Sequence, residues 1–245
     1  MTANSRSTPA PSTELIADLV VANHILANEG VLDGFGHVSV RHDGRDDRFL
    51  IARSMAPGLV TAADILECDF DGTPQDPQGR TTYVERFIHS AIYQARPDVV
   101  AVIHSHSPAI IPFGVTGARL RAICHMSGFL GSSTPVFDIR HAIGDGSDLL
   151  IRSQVLGVAL AQTLGPNAVA LMRGHGNVVV GKSLRQVVYR AIYTENNARL
   201  QSEAMRFGDV NFLSEAEAEA TAASLDEHLE RPWELWVRKV SGVAL

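Results

Sequence analysis

The sequence predicts an α/β fold in one domain. Short runs of β-branched and apolar residues alternate with stretches of helical periodicity all along the chain. Two of the runs, at 99–104 and 168–172, are apolar almost throughout, as in strands covered on both faces. No linker-like tract divides the 245 residues.

The elements follow in order. Residues 1–12, MTANSRSTPAPS, are polar and rich in Ser, Thr and Pro, which predicts a disordered arm ahead of a domain spanning 13–245. Ser12 or Thr13 caps a helix whose stripe of Leu15, Ile16, Leu19, Val20, Ile25 and Leu26 ends near Glu29 and Gly30. Strands are expected at 37–40, 48–52 and 65–69, the last running into the turn FDGTP at 70–74. A helix over 84–94 is stopped by Arg96-Pro97-Asp98 and followed by the buried strand 99–104. Beyond a middle section come a helix over 150–164, strands at 168–172 and 177–180, and a long helix over 184–207. An Ala/Glu-rich helix from Ser214 and a tail with Trp233 and Trp236 close the chain.

Composition excludes several classes of function. With 21 Lys+Arg scattered against 27 Asp+Glu, a formal net charge of −6, there is no basic patch for nucleic acid and no polybasic membrane segment. The N-terminus has no apolar core of a secretory signal, and no apolar run reaches the roughly 18 residues of a membrane span. The only cysteines, Cys68 and Cys124, lie far apart without CxxC spacing, as packing residues in a cytoplasmic protein would.

The chemistry begins in VAVIHSHSPA, residues 100–109. The pleat sends His104 and His106 to one side of the strand end, where two imidazoles can share a metal. A bare HxH is also simply the polar start of a loop; a third histidine bears on the choice. His175 follows the strand 168–172 in RGHG, between glycines that let the backbone turn sharply. Three imidazoles leave coordination positions open for water or a chelating substrate, the catalytic pattern of a metal site. Glu85, in TTYVERFIH, starts the helix that ends shortly before the HxH strand. It is either close to the metal or an acidic first-turn residue favoured by the helix dipole. His89, one turn on, is expected behind the site or in the core.

The segments GFGHVSVR (34–41), VERFIHSAIYQARPDVVAVIHSHSPA (84–109) and RGHGNVVVGKSL (173–184) together resemble the class II aldolase/adducin family over roughly 15–236. The resemblance implies a single three-layer domain with a central, mainly antiparallel sheet flanked by helices. It further implies a homotetramer with sites at subunit interfaces, metal ligands His104, His106 and His175, and Glu85 as acid/base residue. One divalent ion per subunit is expected, manganese by resemblance, with zinc, iron and cobalt open to the same imidazoles.

Departures from the family pattern bear on substrate. His37 stands where the sugar-phosphate members have Asn, and Tyr83-Val84 replaces a pair of hydroxyl residues, which disfavours a phosphorylated sugar. GFGHVSVR and HMSGFLG (125–131) resemble instead the branch with 3-hydroxy-2-methylpyridine-4,5-dicarboxylate 4-decarboxylase and related hydroxyaryl decarboxylases. That implies decarboxylation of an aromatic carboxylate with an adjacent hydroxyl, in the breakdown of aromatic compounds. His37, Arg53, Ser54, His125 and Tyr193 are candidate substrate contacts, the segment 120–138 a candidate for reaching a neighbouring site, and Trp233 a candidate for closing it. An aldolase or dehydratase of a non-phosphorylated hydroxy-acid, an iron-dependent oxygenase and a non-enzymatic adducin-like module are the alternatives; the full ligand set argues against the last.

Overall fold

The computed structural model of the protein describes residues 9–242, so positions 1–8 of the expected arm lie outside the described residues. Ser12, within that arm, already belongs to the fold. Its hydroxyl accepts from the Leu15 amide at 3.2 Å and opens α1 (Thr13–Asn28), while its own amide donates to the Asp43 carboxylate at 3.2 Å. Then come β1 (His37–Arg41), β2 (Arg48–Ala52), β3 (Ile65–Asp69) and the two-residue β4 (Pro74–Gln75). After α2 (Arg86–Ala95) the chain forms β5 (Ala101–Ser105), a short α3 (Ile111–Val115), a 3-10 segment His125–Leu130, β6 (Val136–Phe137) and α4 (Arg140–Ile143). It finishes with α5 (Gln154–Leu164), β7 (Val169–Met172), β8 (Gly176–Gly181), α6 (Leu184–Phe207), α7 (Glu215–Asp226) and α8 (Glu230–Val240). Ser153, Ser183 and Ser214 cap α5, α6 and α7, each hydroxyl accepting a first-turn amide.

All eight strands form one sheet in the order β4-β3-β2-β1-β5-β8-β7-β6, antiparallel at every pairing except β6 with β7. Apolar residues alternate between its two faces. Val38, Ile103 and Val179 face the core shared with α1, α6 and α8, whereas Val102, Val178 and Val180 face the core shared with α2 and α5. Helices thus cover both faces, giving three layers. By the same alternation His37, Ser39 and His104 project toward the α2 side, and His37 pairs directly with His104 across β1 and β5. No described helix is long and apolar enough to cross a membrane.

Several boundaries differ from the sequence reading. The helix expected over 84–94 starts at Arg86, the one expected over 150–164 starts only after the Ser153 cap, and the strand expected at 99–104 is shifted to Ala101–Ser105. The tail is α8, whose Trp233 and Trp236 are buried in the core with α1 and α6. Trp233 is therefore a core residue, with the Arg185 guanidinium 5.3 Å from its ring centre, and does not close a cleft. Cys68 is buried in the core and Cys124 half-buried, both free thiols.

Candidate metal centre

β5 is the innermost of the long strands, paired on both sides, and His104 near its end is fully buried. Its Nδ1 donates to the Asn177 carbonyl at 3.0 Å, which leaves Nε2 bare and aimed away from the strand. His106 follows two residues later. His175 arrives from the turn between β7 and β8, where Gly174 takes φ +68° and the His175 amide donates to the Met172 carbonyl at 3.0 Å. Gly176 lies so close to β5 that a Cβ there would sit 1.9 Å from the Ser105 carbonyl oxygen, so only glycine brings the turn this near to the HxH strand.

The three histidines converge through the same ring atom. His106 Nε2 lies 3.2 Å from His104 Nε2 and 3.1 Å from His175 Nε2. Nitrogens about 2.1 Å from one tetrahedral ion stand about 3.4 Å apart, so the spacing is that of ligands around one cation. Glu85 completes the group: Oε2 is 3.5 Å from both His104 Nε2 and His175 Nε2, and one donor atom from each of the four residues lies within 4.8 Å of the others. His106 is pushed down to about 4 by burial and by its two histidine neighbours, so it is a neutral lone-pair donor near pH 7. These donors fit a divalent cation.

The Glu85 side chain caps no helix amide. Its Oε1 accepts the Ile151 amide at 2.9 Å, which turns the carboxylate toward the imidazoles and away from the helix end. Burial raises its affinity for a proton, yet the His104 and His175 imidazoles beside it outweigh burial and leave it well below the usual carboxylate range.

A cleft of about 320 Å³ opens beside these groups, lined by Phe35, His37, Ser54, Met55, Tyr83, Glu85, His106 and Leu150, with Gly34, Gly36, Ala56 and Val84 around them. No Lys or Arg is among the described residues that line it. The Tyr83 hydroxyl is spent on the Met55 carbonyl at 2.5 Å. The expected substrate contacts therefore divide. His37 and Ser54 are in the cleft wall. Arg53 does not line it; its Nε donates to Asp64 Oδ1 at 2.6 Å. Tyr193 lines a separate cavity with Tyr189, His228 and Arg231, in the α6 and α8 layer across the sheet, and His125 is exposed at the start of the 3-10 segment packed on α7. Neither borders the cleft of its own chain. Sequence reasoning missed Phe35, Met55 and Leu150, of which only Phe35, set between two glycines, had a visible signal.

Comparison with known proteins shows the family. The family model "Class II Aldolase and Adducin N-terminal domain" matches residues 17–202. A relative named decarboxylase tropJ, from Talaromyces stipitatus, is 40% identical over 94% of this chain and 95% of its own. The 3,4-dihydroxyphthalate decarboxylase of a Terrabacter species is 30% identical over 81% of this chain and 83% of its own. Among solved structures, L-fuculose 1-phosphate aldolase from Glaciozyma antarctica superposes with a TM-score of 0.77 at 25% identity, covering 96% of both chains. The chain belongs to the class II aldolase and adducin family.

Proposed function

We propose that the protein is a metal-dependent decarboxylase of an aromatic or heteroaromatic carboxylate with an adjacent hydroxyl, a carbon–carbon lyase serving the breakdown of aromatic compounds. The observation that carries this reading is the Glu85 carboxylate set 3.5 Å from two of three converging imidazoles, beside a cleft walled by Phe35, Met55, Tyr83 and Leu150. Similarity to a named 3,4-dihydroxyphthalate decarboxylase supports the substrate class. His37 and Tyr83-Val84 in the cleft wall, where the sugar-phosphate members carry Asn and a pair of hydroxyl residues, weigh against a phosphorylated sugar.

His104, His106 and His175 would hold a divalent ion, manganese in our reading, and the ion would supply Lewis-acid chemistry beside the substrate. Glu85, ionised at rest, takes the proton of the substrate hydroxyl. When the bond to the carboxylate breaks, its electron pair stays on the ring carbon, and Glu85 returns the proton to that carbon as carbon dioxide leaves. The apolar wall holds the ring flat and keeps water from competing as the proton source. His37 and Ser54 orient the carboxylate. Sites at the interfaces of a cytoplasmic homotetramer, with His125 or Tyr193 reaching a neighbour's cleft, complete the proposal.

The test is metal analysis of the purified protein together with carbon dioxide release from a panel of hydroxyaryl carboxylates, in air and without oxygen. About one divalent ion per chain and oxygen-independent release are expected, and His104→Ala should lose both metal and activity while the far-ultraviolet spectrum stays folded. A metal-free protein with full activity would end the proposal, and release of an aldehyde in place of carbon dioxide would turn it to an aldolase.

A further inference from the structure

Behind the cleft wall a line of buried hydrogen bonds runs into the core. His37 Nδ1 meets His89 Nε2 at 2.6 Å, His89 Nδ1 meets Ser39 Oγ at 2.6 Å, and Ser39 Oγ meets the Tyr93 hydroxyl at 2.8 Å, with the Val100 carbonyl beyond it at 3.4 Å. β1 contributes His37 and Ser39, α2 contributes His89 and Tyr93, and all four side chains are at most 3% exposed. The other nitrogen of His37, Nε2, has no hydrogen-bond partner among the described residues, and His37 borders the cleft.

We infer that His89, backed by Ser39 and Tyr93, sets the tautomer and ring plane of His37 so that His37 meets a substrate carboxylate as an Nε2–H donor. The inference rests on the reading that the cleft takes an aryl carboxylate. One hydrogen lies in each of the three links between the four side chains, so the line has two orders. Running inward, His37 Nδ1–H donates to His89, His89 Nδ1–H to Ser39, Ser39 to Tyr93, and Tyr93 to the Val100 carbonyl; His37 then shows the cleft a lone pair. Running outward, Tyr93 donates to Ser39, Ser39 to His89 Nδ1, and His89 Nε2–H to His37 Nδ1; His37 then shows the cleft Nε2–H. Each order uses four hydrogens and carries no net charge. An anion in the cleft is met by the outward order. No Lys or Arg is among the described residues of the cleft wall, so this N–H is a donor that the wall itself offers to an anion.

His89 is thus a positioning residue, and its consequence is specific: His37 and His89 must carry their protons on like-named nitrogens, both Nδ1 or both Nε2, because two hydrogens or none cannot sit in a 2.6 Å link. The experiment is nitrogen-15 spectroscopy of histidine-labelled, zinc-loaded and hence diamagnetic protein, alone and with salicylate, alongside salicylate affinity and metal content of His89→Phe and His89→Gln. Expected are like nitrogens in the free protein and both Nε2 in the complex. His89→Phe, stacked like His89 on Phe49, should keep its metal but bind salicylate about tenfold or more weaker, the worth of a hydrogen bond to a charged group. His89→Gln, whose amide again offers a donor and an acceptor, should recover part of the loss. Unlike nitrogens, or His89→Phe binding within twofold of wild type, would overturn the inference. A wild type that neither binds salicylate nor decarboxylates any hydroxyaryl carboxylate sinks the functional reading and the carboxylate with it, whereas like nitrogens in the free protein would still uphold the coupling of His89 to His37.

Discussion

Glu85 and His89 lie one helical turn apart and are tuned in different ways. Glu85 is buried, which favours its protonated form, but two histidines draw it back to the carboxylate. If it takes and returns the substrate proton, Glu85→Gln should retain metal and salicylate binding while turnover falls about 10² or more, as read in steady-state and metal assays. Turnover near the wild-type rate would move the proton to another group. His89 is fully buried and held down to about 3 by burial and by the charge of His104. Between about pH 6.5 and 3 the unfolded chain binds a proton at this position that the folded one refuses, so stability falls as pH falls through that window. The stability difference between wild type and His89→Phe should shrink by up to about 1.4 kcal/mol per pH unit from pH 6.5 to 5, measured by urea titration. At this scale much of the candidate site was legible. His104, His106, His175 and Glu85 stood out by residue type and spacing, and they are the four that come together. The Ile151 amide on Glu85 was not legible, because 66 residues separate the partners and a backbone donor has no sequence signature. The Asp64 carboxylate on Arg53 Nε was hidden in the same way, since nothing in the sequence around Arg53 announces its partner.

Between elements, α2 and α5 pack closely enough to fix where Glu85 sits. A Cβ at Gly157 would lie 2.3 Å from the Phe87 carbonyl oxygen and 2.9 Å from the Ala91 methyl. Alanine is the better helix former by about 1 kcal/mol, and in an exposed helix Gly157→Ala would stabilise. Here the overlap falls on backbone and the contact wins. Gly157→Ala is expected to lower thermal stability by about 1–3 kcal/mol and to reduce turnover with it, since Phe87 is two residues from Glu85; a raised melting temperature would show that the helices separate freely. Element existence was readable from period and caps, as Ser12, Ser153, Ser183 and Ser214 show. Boundaries slipped where function overrides local preference. Glu85 carries helical promise in the sequence, yet its backbone, at φ −88° and ψ 16°, stays outside α2 and lets its side chain turn back to the ligands. The two-residue strands β4 and β6 were missed because so short a run has no period to read.

For the molecule as a whole, composition and alternation gave the α/β class and the helix-covered sheet, but strand direction is invisible to a period of two; the mainly antiparallel order came from the family resemblance. The segment carrying His125 lies in the layer opposite its own cleft, so any cleft it completes belongs to another subunit. The family resemblance makes that assembly a tetramer, which light scattering should find, and an active monomer would refute shared sites. The sheet order has a further consequence, for the traffic of the ion. β5 is hydrogen-bonded along both edges, so its amides should exchange with solvent only when the entire domain opens. If His104 holds an ion as proposed, fraying of the sheet would not release it. Its route is the mouth of the cleft, where Phe35, 70% exposed, stands on a loop between two glycines. Retention of the ion becomes a matter of loop kinetics, not global stability: shortening or stiffening residues 33–36 should change the half-life of bound ion under chelator while the melting temperature stays put.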